Sequence, residues 1–336
     1  VIRSKALLAA AALALPLLAA CGGGSDAADD GPITVYSGRS EELVGALFAQ
    51  FTEETGIEVQ ARYGDTAELA AQLLEEGDAS PAQVYFAQDA GALGAVEDAG
   101  LFVPLPEAVA TLVPAAYRSV DGMWTGVSGR ARVIAYDSEQ LTAAEVPQSV
   151  FDLTDPKWKG QVGIAPTNAS FQAFVTAMRV SQGDEVTRQW LEGLVANDVK
   201  KFEKNGLILD AVDTGQVQLG LINHYYWYQK AAEVGTDAMR AQLGFTRPQD
   251  PGSLVNVAGV GMLQDNANAA KFVEWLLSPS TQEWFVNNTW EYPLLPSVAA
   301  AEGLPSLDTL RGPDVPLAEL ADLPGTLVML EEVGLI

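Results

Sequence analysis

Histidine and cysteine are nearly missing from this 336-residue chain, which has one of each, His224 and Cys21. A single cysteine forbids any internal disulfide. A single histidine cannot build a histidine-based metal cluster and argues against a catalytic dyad. Cations are scarce too: Lys and Arg number 19 against 44 Asp and Glu, a formal net charge of −25. Nucleic-acid binding needs a basic face, so the balance argues against it. The acidity favours solubility and draws cations weakly, but specifies no ligand. No GxxxxGK[ST] or GxGxxG lies at a strand–helix junction, and neither GxSxG nor HExxH occurs. The pairs Glu75-Glu76 and Glu331-Glu332 read as solvated charge, so no acid–base pair motivates an enzyme. No internal repeat is present.

Long apolar runs are confined to the start of the chain. Arg3 and Lys5 precede the run Ala6 to Ala20, which closes on Leu18-Ala19-Ala20-Cys21. A basic flank, a short apolar core and small residues before a cleavage point predict a secretory signal over 1–20, too short to span as an ordinary helix. The stretch ending in cysteine resembles the bacterial lipobox, which implies that Cys21 is lipidated and becomes the first mature residue. A secreted protein with a free cysteine is the alternative. Residues 21–31, small and polar, read as a flexible tether. The expected place is therefore extracytoplasmic, anchored by lipid to the cell membrane, in the periplasm or at the cell surface. The mature part, roughly 310 residues, suits two lobes better than three domains.

Strand and helix patterns alternate along that part. Strands are expected at Ile33–Tyr36, Ile57–Tyr63, Val84–Ala87, Val127–Tyr136, Val162–Ala165, Val217–Ile222 and Leu254–Leu263. Between them fall apolar stripes at helical spacing, such as Leu43, Leu47, Phe48 and Phe51, or Leu69, Leu73 and Leu74 behind a cap at Asp65. The alternation predicts an α/β protein with largely parallel sheets. Two long strands, near residues 130 and 257, could carry the chain from one lobe to the other and back. Ligands of open α/β sheets sit beyond the carboxyl ends of the strands, so facing lobes would form a cleft.

Against the shortage of usual metal ligands, one segment stands out: Ile222 to Tyr228, reading INHYYWY. It sets Tyr225 and Tyr226 side by side at the end of an expected strand. A phenol ionises near pH ~10 when unperturbed. A hard trivalent cation stabilises the phenolate far more than the phenol, and Fe(3+) prefers anionic oxygen to thiolate or imidazole. The bland alternative is aromatic packing at a strand end. His224 itself reads as a packing or surface residue, with support of a ligand as the other option.

Several loops carry the chemistry of an anion site. Tyr36-Ser37-Gly38-Arg39-Ser40 runs from a strand into a helix, with Gly38 permitting close approach, Arg39 offering a planar donor fork and Ser40 at the helix start. Pro166-Thr167-Asn168-Ala169-Ser170 repeats the arrangement. Asn205 precedes another helix, and Asn223 follows its strand. Each alone could be an ordinary helix cap.

The order of these segments resembles the bacterial ferric-ion-binding substrate-binding proteins of ABC importers, the bacterial transferrin-like group. The resemblance rests on ITVYSGRSEEL (33–43), SPAQVYFAQDAGAL (80–93), SGRARVIAYD (128–137), PKWKGQVGIAPTNASFQAF (156–174), KFEKNGLIL (201–209), LGLINHYYW (219–227), DPGSLVNVAGVGML (250–263) and EYPLLP (291–296). It implies a two-lobed periplasmic-binding-protein (type II) fold with a double crossover between lobes. The expected division is 32–130 plus 256–304 in one lobe and 131–255 plus 305–336 in the other. It further implies capture of Fe(3+) and delivery to an ABC permease and its ATPase, by a protein expected to be a monomer.

Residue by residue, the resemblance places metal ligands at Tyr225 and Tyr226 and an anion-binding loop at Asn168, Ala169 and Ser170, with Asn205 and Asn223 as further donors. Where some members have a histidine, this chain has Ser40. Where some have a glutamate, it has Gln88 followed by Asp89. A third tyrosine of other members is replaced by Ser170. Two phenolates leave Fe(3+) with one positive charge and an incomplete shell. Carbonate, bicarbonate or phosphate, held by Arg39 and loop N–H groups, would fill it. Tyr63 is a candidate third phenolate, with packing as its alternative. Arg130 could hold the anion or the closed lobes, or form a structural salt bridge. A metal-free protein for an anionic organic solute, such as a sugar phosphate or phosphonate, is the competing function.

Overall fold

The computed structural model describes residues 31–310, 312–313 and 315–336; the expected signal segment, Cys21 and nearly all of the expected tether lie outside them. The chain opens with β1 (Ile33–Ser37), α1 (Glu41–Thr55), β2 (Val59–Tyr63), α2 (Thr66–Glu76), β3 (Val84–Ala87), α3 (Ala90–Asp98) and the short α4 (Glu107–Ala110). The long β4 (Trp124–Asp137) follows, then β5 (Val162–Ile164), α5 (Ala169–Gln182), α6 (Asp184–Ala196), β6 (Lys200–Lys201), α7 (Asn205–Asp213), β7 (Leu219–Asn223), α8 (Tyr225–Val234) and β8 (Ala241–Gly244). The chain returns through β9 (Val255–Met262), α9 (Ala267–Leu276), α10 (Pro279–Thr289), β10 (Tyr292–Pro293) and α11 (Leu323–Glu332).

Local chemistry explains the boundaries. Asp65 accepts from the N–H groups of Ala67 (2.8 Å) and Glu68 (3.4 Å), starting α2. Gly56, at φ 74°, ends α1 in the left-handed region where a side chain would be strained. The α1 stripe of Val44, Leu47, Phe48 and Phe51 is buried on the sheet, each large side chain contributing about 1.5–3 kcal/mol. Leu74 departs from the expected stripe: it is 46% exposed, because it falls one position beyond the buried Leu69, Ala70 and Leu73 face of α2.

The strands run in the order β2-β1-β3-β9-β4-β7-β5-β6, with β8 and β10 also on β4. Pairing is parallel among β1, β2 and β3 in one lobe, and among β5, β6 and β7 in the other. Every ladder made by β4 or β9 is antiparallel. The sheets are thus less parallel than the alternation suggests, because the crossing strands run against the strands they join. The first half of β4 pairs with β9 from Trp124↔Gly261 to Ala131↔Val255, and the second half with β7 from Arg132↔Asn223 to Tyr136↔Leu219. Changeover falls between residues 131 and 132, so β4 is one continuous strand shared by both lobes. This is the two-lobed type II periplasmic-binding-protein fold.

The C-terminal segment touches both lobes. Residues Leu317–Ala321 form a 3-10 turn against α3, where Gly91 and Gly94 leave space for the carbonyls of Leu320 and Ala318. The α11 helix lies on α5, joined by a Thr176–Thr326 hydroxyl bond of 2.7 Å and an Arg179–Asp322 ion pair of 2.9 Å.

Candidate metal centre

β7 ends at Asn223 and the chain turns directly into α8, so Tyr225 and Tyr226 form the first helical turn instead of extending the strand. Their rings stack at 4.4 Å with an interplanar angle of 26°, and both are half-buried. Burial pushes the Tyr225 phenol well above its ordinary value; Tyr226 adds to this, and nearby Arg130 opposes it. Without a metal, Tyr225 is a neutral phenol. Among the described residues, no group of three or more His, Cys, Asp or Glu is placed to hold a metal, so the phenol pair is the candidate.

Three arginines converge near it. Arg39, Arg130 and Arg132 are 2%, 3% and 4% exposed. Arg39 donates to Glu291 at 2.9 Å, and Arg130 Nε lies 3.9 Å from the same carboxylate. Arg130 also donates to the carbonyl of Gln88. Burial would raise the Glu291 carboxyl, but Arg39, Arg130 and Ser128 (2.7 Å) outweigh it, and the group sits below its usual range. Among the described residues Arg132 pairs with no carboxylate: it donates to the carbonyls of Ser170 and, at 3.4 Å, Asn205 Oδ1, and lies over the Phe174 ring. Burial lowers its pKa to about 10, with Tyr225 and Tyr226 acting in the opposite sense. One fully buried carboxylate therefore meets two buried guanidinium groups, and a third, Arg132, lies near Arg130 and the phenol pair. Arg39 Nε and Nη1 and Arg130 Nε are buried with no hydrogen-bond partner, which is a costly arrangement unless something anionic meets them.

The anion-loop residues meet on the other side. Asn168 caps α5 through Ser170 N (3.1 Å) and accepts from Ser170 Oγ (2.6 Å) and Asn205 Nδ2 (3.1 Å). Asn205 Oδ1 in turn accepts from the backbone N–H of Asn223 at 3.0 Å. Asn168, Ser170, Asn205, Asn223 and Arg132 are thus one hydrogen-bonded group, with Ala169 as the first residue of α5. Gly38 is required where it stands: a Cβ would lie 2.0 Å from Thr66 Oγ1.

The remaining expected residues have other contacts. Tyr63 stacks on Phe48 at 6.3 Å, and its hydroxyl faces Gly45 of α1; these are the contacts of the packing alternative. Ser40 is exposed at the start of α1 and makes no side-chain cap. Asp89 caps α3 through Ala92 N at 3.1 Å, and burial raises its carboxyl. Gln88 contributes its carbonyl to Arg130.

Arg132 and Glu291 were not among the residues the sequence singled out. Arg132 had a signal, since residues i and i+2 share one face of a strand and Arg130 was already a candidate. Glu291 had none, because it meets Arg39 across 252 positions. His224 is wholly buried, and burial lowers its pKa to about 4, so it is neutral.

A two-lobed clamp with a polar, charged site at its waist is the architecture of a solute-binding protein. The family model for bacterial extracellular solute-binding proteins matches residues 81–314. The Fe(3+)-binding periplasmic protein of Serratia marcescens is 35% identical, with 100% of this chain and 99% of that protein covered. The major ferric iron-binding protein of Neisseria meningitidis serogroup B is 35% identical over 90% of this chain and 93% of its own. Iron-bound HitA from Pseudomonas aeruginosa superposes with a TM-score of 0.83 at 32% identity, covering 90% of this chain and 99% of its own. The chain belongs to the bacterial extracellular solute-binding proteins, and among them to the ferric-ion-binding group of ABC importers. Among the described residues, no helix is long and apolar enough to cross a membrane.

Proposed function

We propose that this chain captures Fe(3+) outside the cytoplasm and delivers it to an ABC permease driven by its ATPase. Tyr225 and Tyr226 bind the metal as phenolates, and an exogenous anion, carbonate, bicarbonate or phosphate, completes the shell. Arg39 and Arg130 hold that anion from one lobe; Arg132 and the Asn168-Ala169-Ser170 helix start, backed by Asn205 and Asn223, lie on the other. The observation that carries the reading is a stacked phenol pair beside three buried guanidinium groups and one carboxylate. Two phenolates and a divalent anion overcompensate Fe(3+) by one charge, which the guanidinium surplus balances. The lobes divide near residues 130 and 255, and the protein works as a monomer tethered through lipidated Cys21.

Ferric ion added with bicarbonate to the purified protein should give the visible phenolate-to-iron band, and a chelator should bleach it. Tyr225→Phe with Tyr226→Phe should abolish both colour and binding; retained colour in the double variant contradicts the ligand assignment. The guanidinium surplus alone also suits a metal-free anionic solute such as a sugar phosphate. Tight sugar-phosphate binding with no iron uptake would favour that reading.

A further inference from the structure

The one histidine joins parts of the site that come from both lobes. His224 N–H donates to the carbonyl of Ala131 at 3.0 Å, and Ala131 N–H donates back to His224 Nδ1 at 3.1 Å. The ring thereby continues the β7–β4 ladder one step beyond the Arg132↔Asn223 pair. Because Nδ1 accepts, the proton sits on Nε2, which donates to the carbonyl of Trp290 at 2.7 Å. Trp290 follows α10 in the left-handed region, at φ 61°, an uncommon conformation for a bulky residue. Its ring is stacked on Tyr228 of α8 at 5.5 Å. The next residue is Glu291, whose carboxylate carries Arg39. On the other side of His224, the next residue is Tyr225. The imidazole lies 4.9 Å from the Tyr292 ring and 5.9 Å, edge-on, from the Tyr225 ring.

We infer that His224 is a positioning residue, one inflexible ring that ties the start of α8, which bears the phenol pair, to the turn that precedes Glu291 and its arginines. The inference rests on the proposed iron site and adds to it a residue that touches neither metal nor anion. Imidazole suits the role because it holds an acceptor and a donor at opposite ends of one inflexible ring. Phenylalanine would fill similar space but leave the Ala131 N–H and the Trp290 carbonyl unpartnered. Glutamine supplies both functions on a flexible chain.

The test compares wild type, His224→Gln and His224→Phe, each shown folded by circular dichroism, in ferric titrations with and without bicarbonate. Outer residues that orient metal ligands are worth about 10- to 100-fold in metal affinity. H224F is expected to keep a phenolate-to-iron band, because both tyrosines remain, but with a shifted maximum. Its affinity should fall by about that factor, and its gain from bicarbonate should shrink. H224Q should fall between H224F and wild type. If H224F does not fold, H224Q alone carries the test, by a shifted band and a smaller bicarbonate effect. Folded variants that match wild type in affinity, band position and bicarbonate dependence overturn the inference. Absence of any band in wild type would instead overturn the iron reading beneath it.

Discussion

At the scale of single residues, the decisive property is the protonation of the phenols. Burial holds Tyr225 neutral, its pKa well above the usual phenol range, so on the proposed ligation ferric ion must expel its proton on binding. Affinity should then rise with pH and fall in acid, as protons compete for phenolate and carbonate alike. Ferric titrations at several fixed pH values check this, and a pH-independent affinity would contradict it. Glu291 supports the opposite charge. Replacing it in Glu291→Gln leaves Arg39 and Arg130 buried with no carboxylate between them. That should cost about 3–5 kcal/mol of stability, read as a lower denaturation midpoint. Added phosphate should return part of the loss. Adjacent phenols were visible in the sequence because their neighbours are local. The Arg39–Glu291 pair was not, because only the fold brings residues from opposite ends of the chain together.

At the scale of elements, most strands and helices follow from periodicity. β3 falls at Val84–Ala87 and β9 at Val255–Met262, each within a residue of expectation. What periodicity misses are pieces too short to show a period, such as β6 and β10, and helices whose composition hides them. α8 opens with Tyr-Tyr-Trp-Tyr, residues of modest helix propensity, and is held in place by packing: Trp227 Nε1 donates to the carbonyl of Ala241 at 2.6 Å. The α3 face shows a related limit. Gly94 looks like a weak point in a helix until residues 317–321 are seen against it. A Cβ there would lie 2.5 Å from the Ala318 carbonyl oxygen, so Gly94→Ala should destabilise by about 1–3 kcal/mol. Thermal melting measures it, and an unchanged or raised midpoint would show that the turn yields freely.

At the scale of the molecule, the proposed site makes the protein a hinge with its ligand at the pivot. Both lobes share β4, and Arg130 and Arg132 lie on either side of the residue where its pairing changes from β9 to β7. On the proposed function, a metal and anion bridging the two sides would favour the closed arrangement by their differential affinity for it. Small-angle scattering should therefore show a smaller radius of gyration with ferric ion and bicarbonate than without, and no change would mean binding without closure. The division into lobes was foreshadowed by two long strands in the sequence; the charge balance at their meeting point was not, since a net charge of −25 conceals a positive centre.

The most direct measurement is a crystal grown with ferric ion and bicarbonate, with diffraction recorded at the iron absorption edge. The account predicts one anomalous peak bonded to the hydroxyl oxygens of Tyr225 and Tyr226, with a small anion between it and the arginines. A peak elsewhere, or none with both rings turned away, would contradict it.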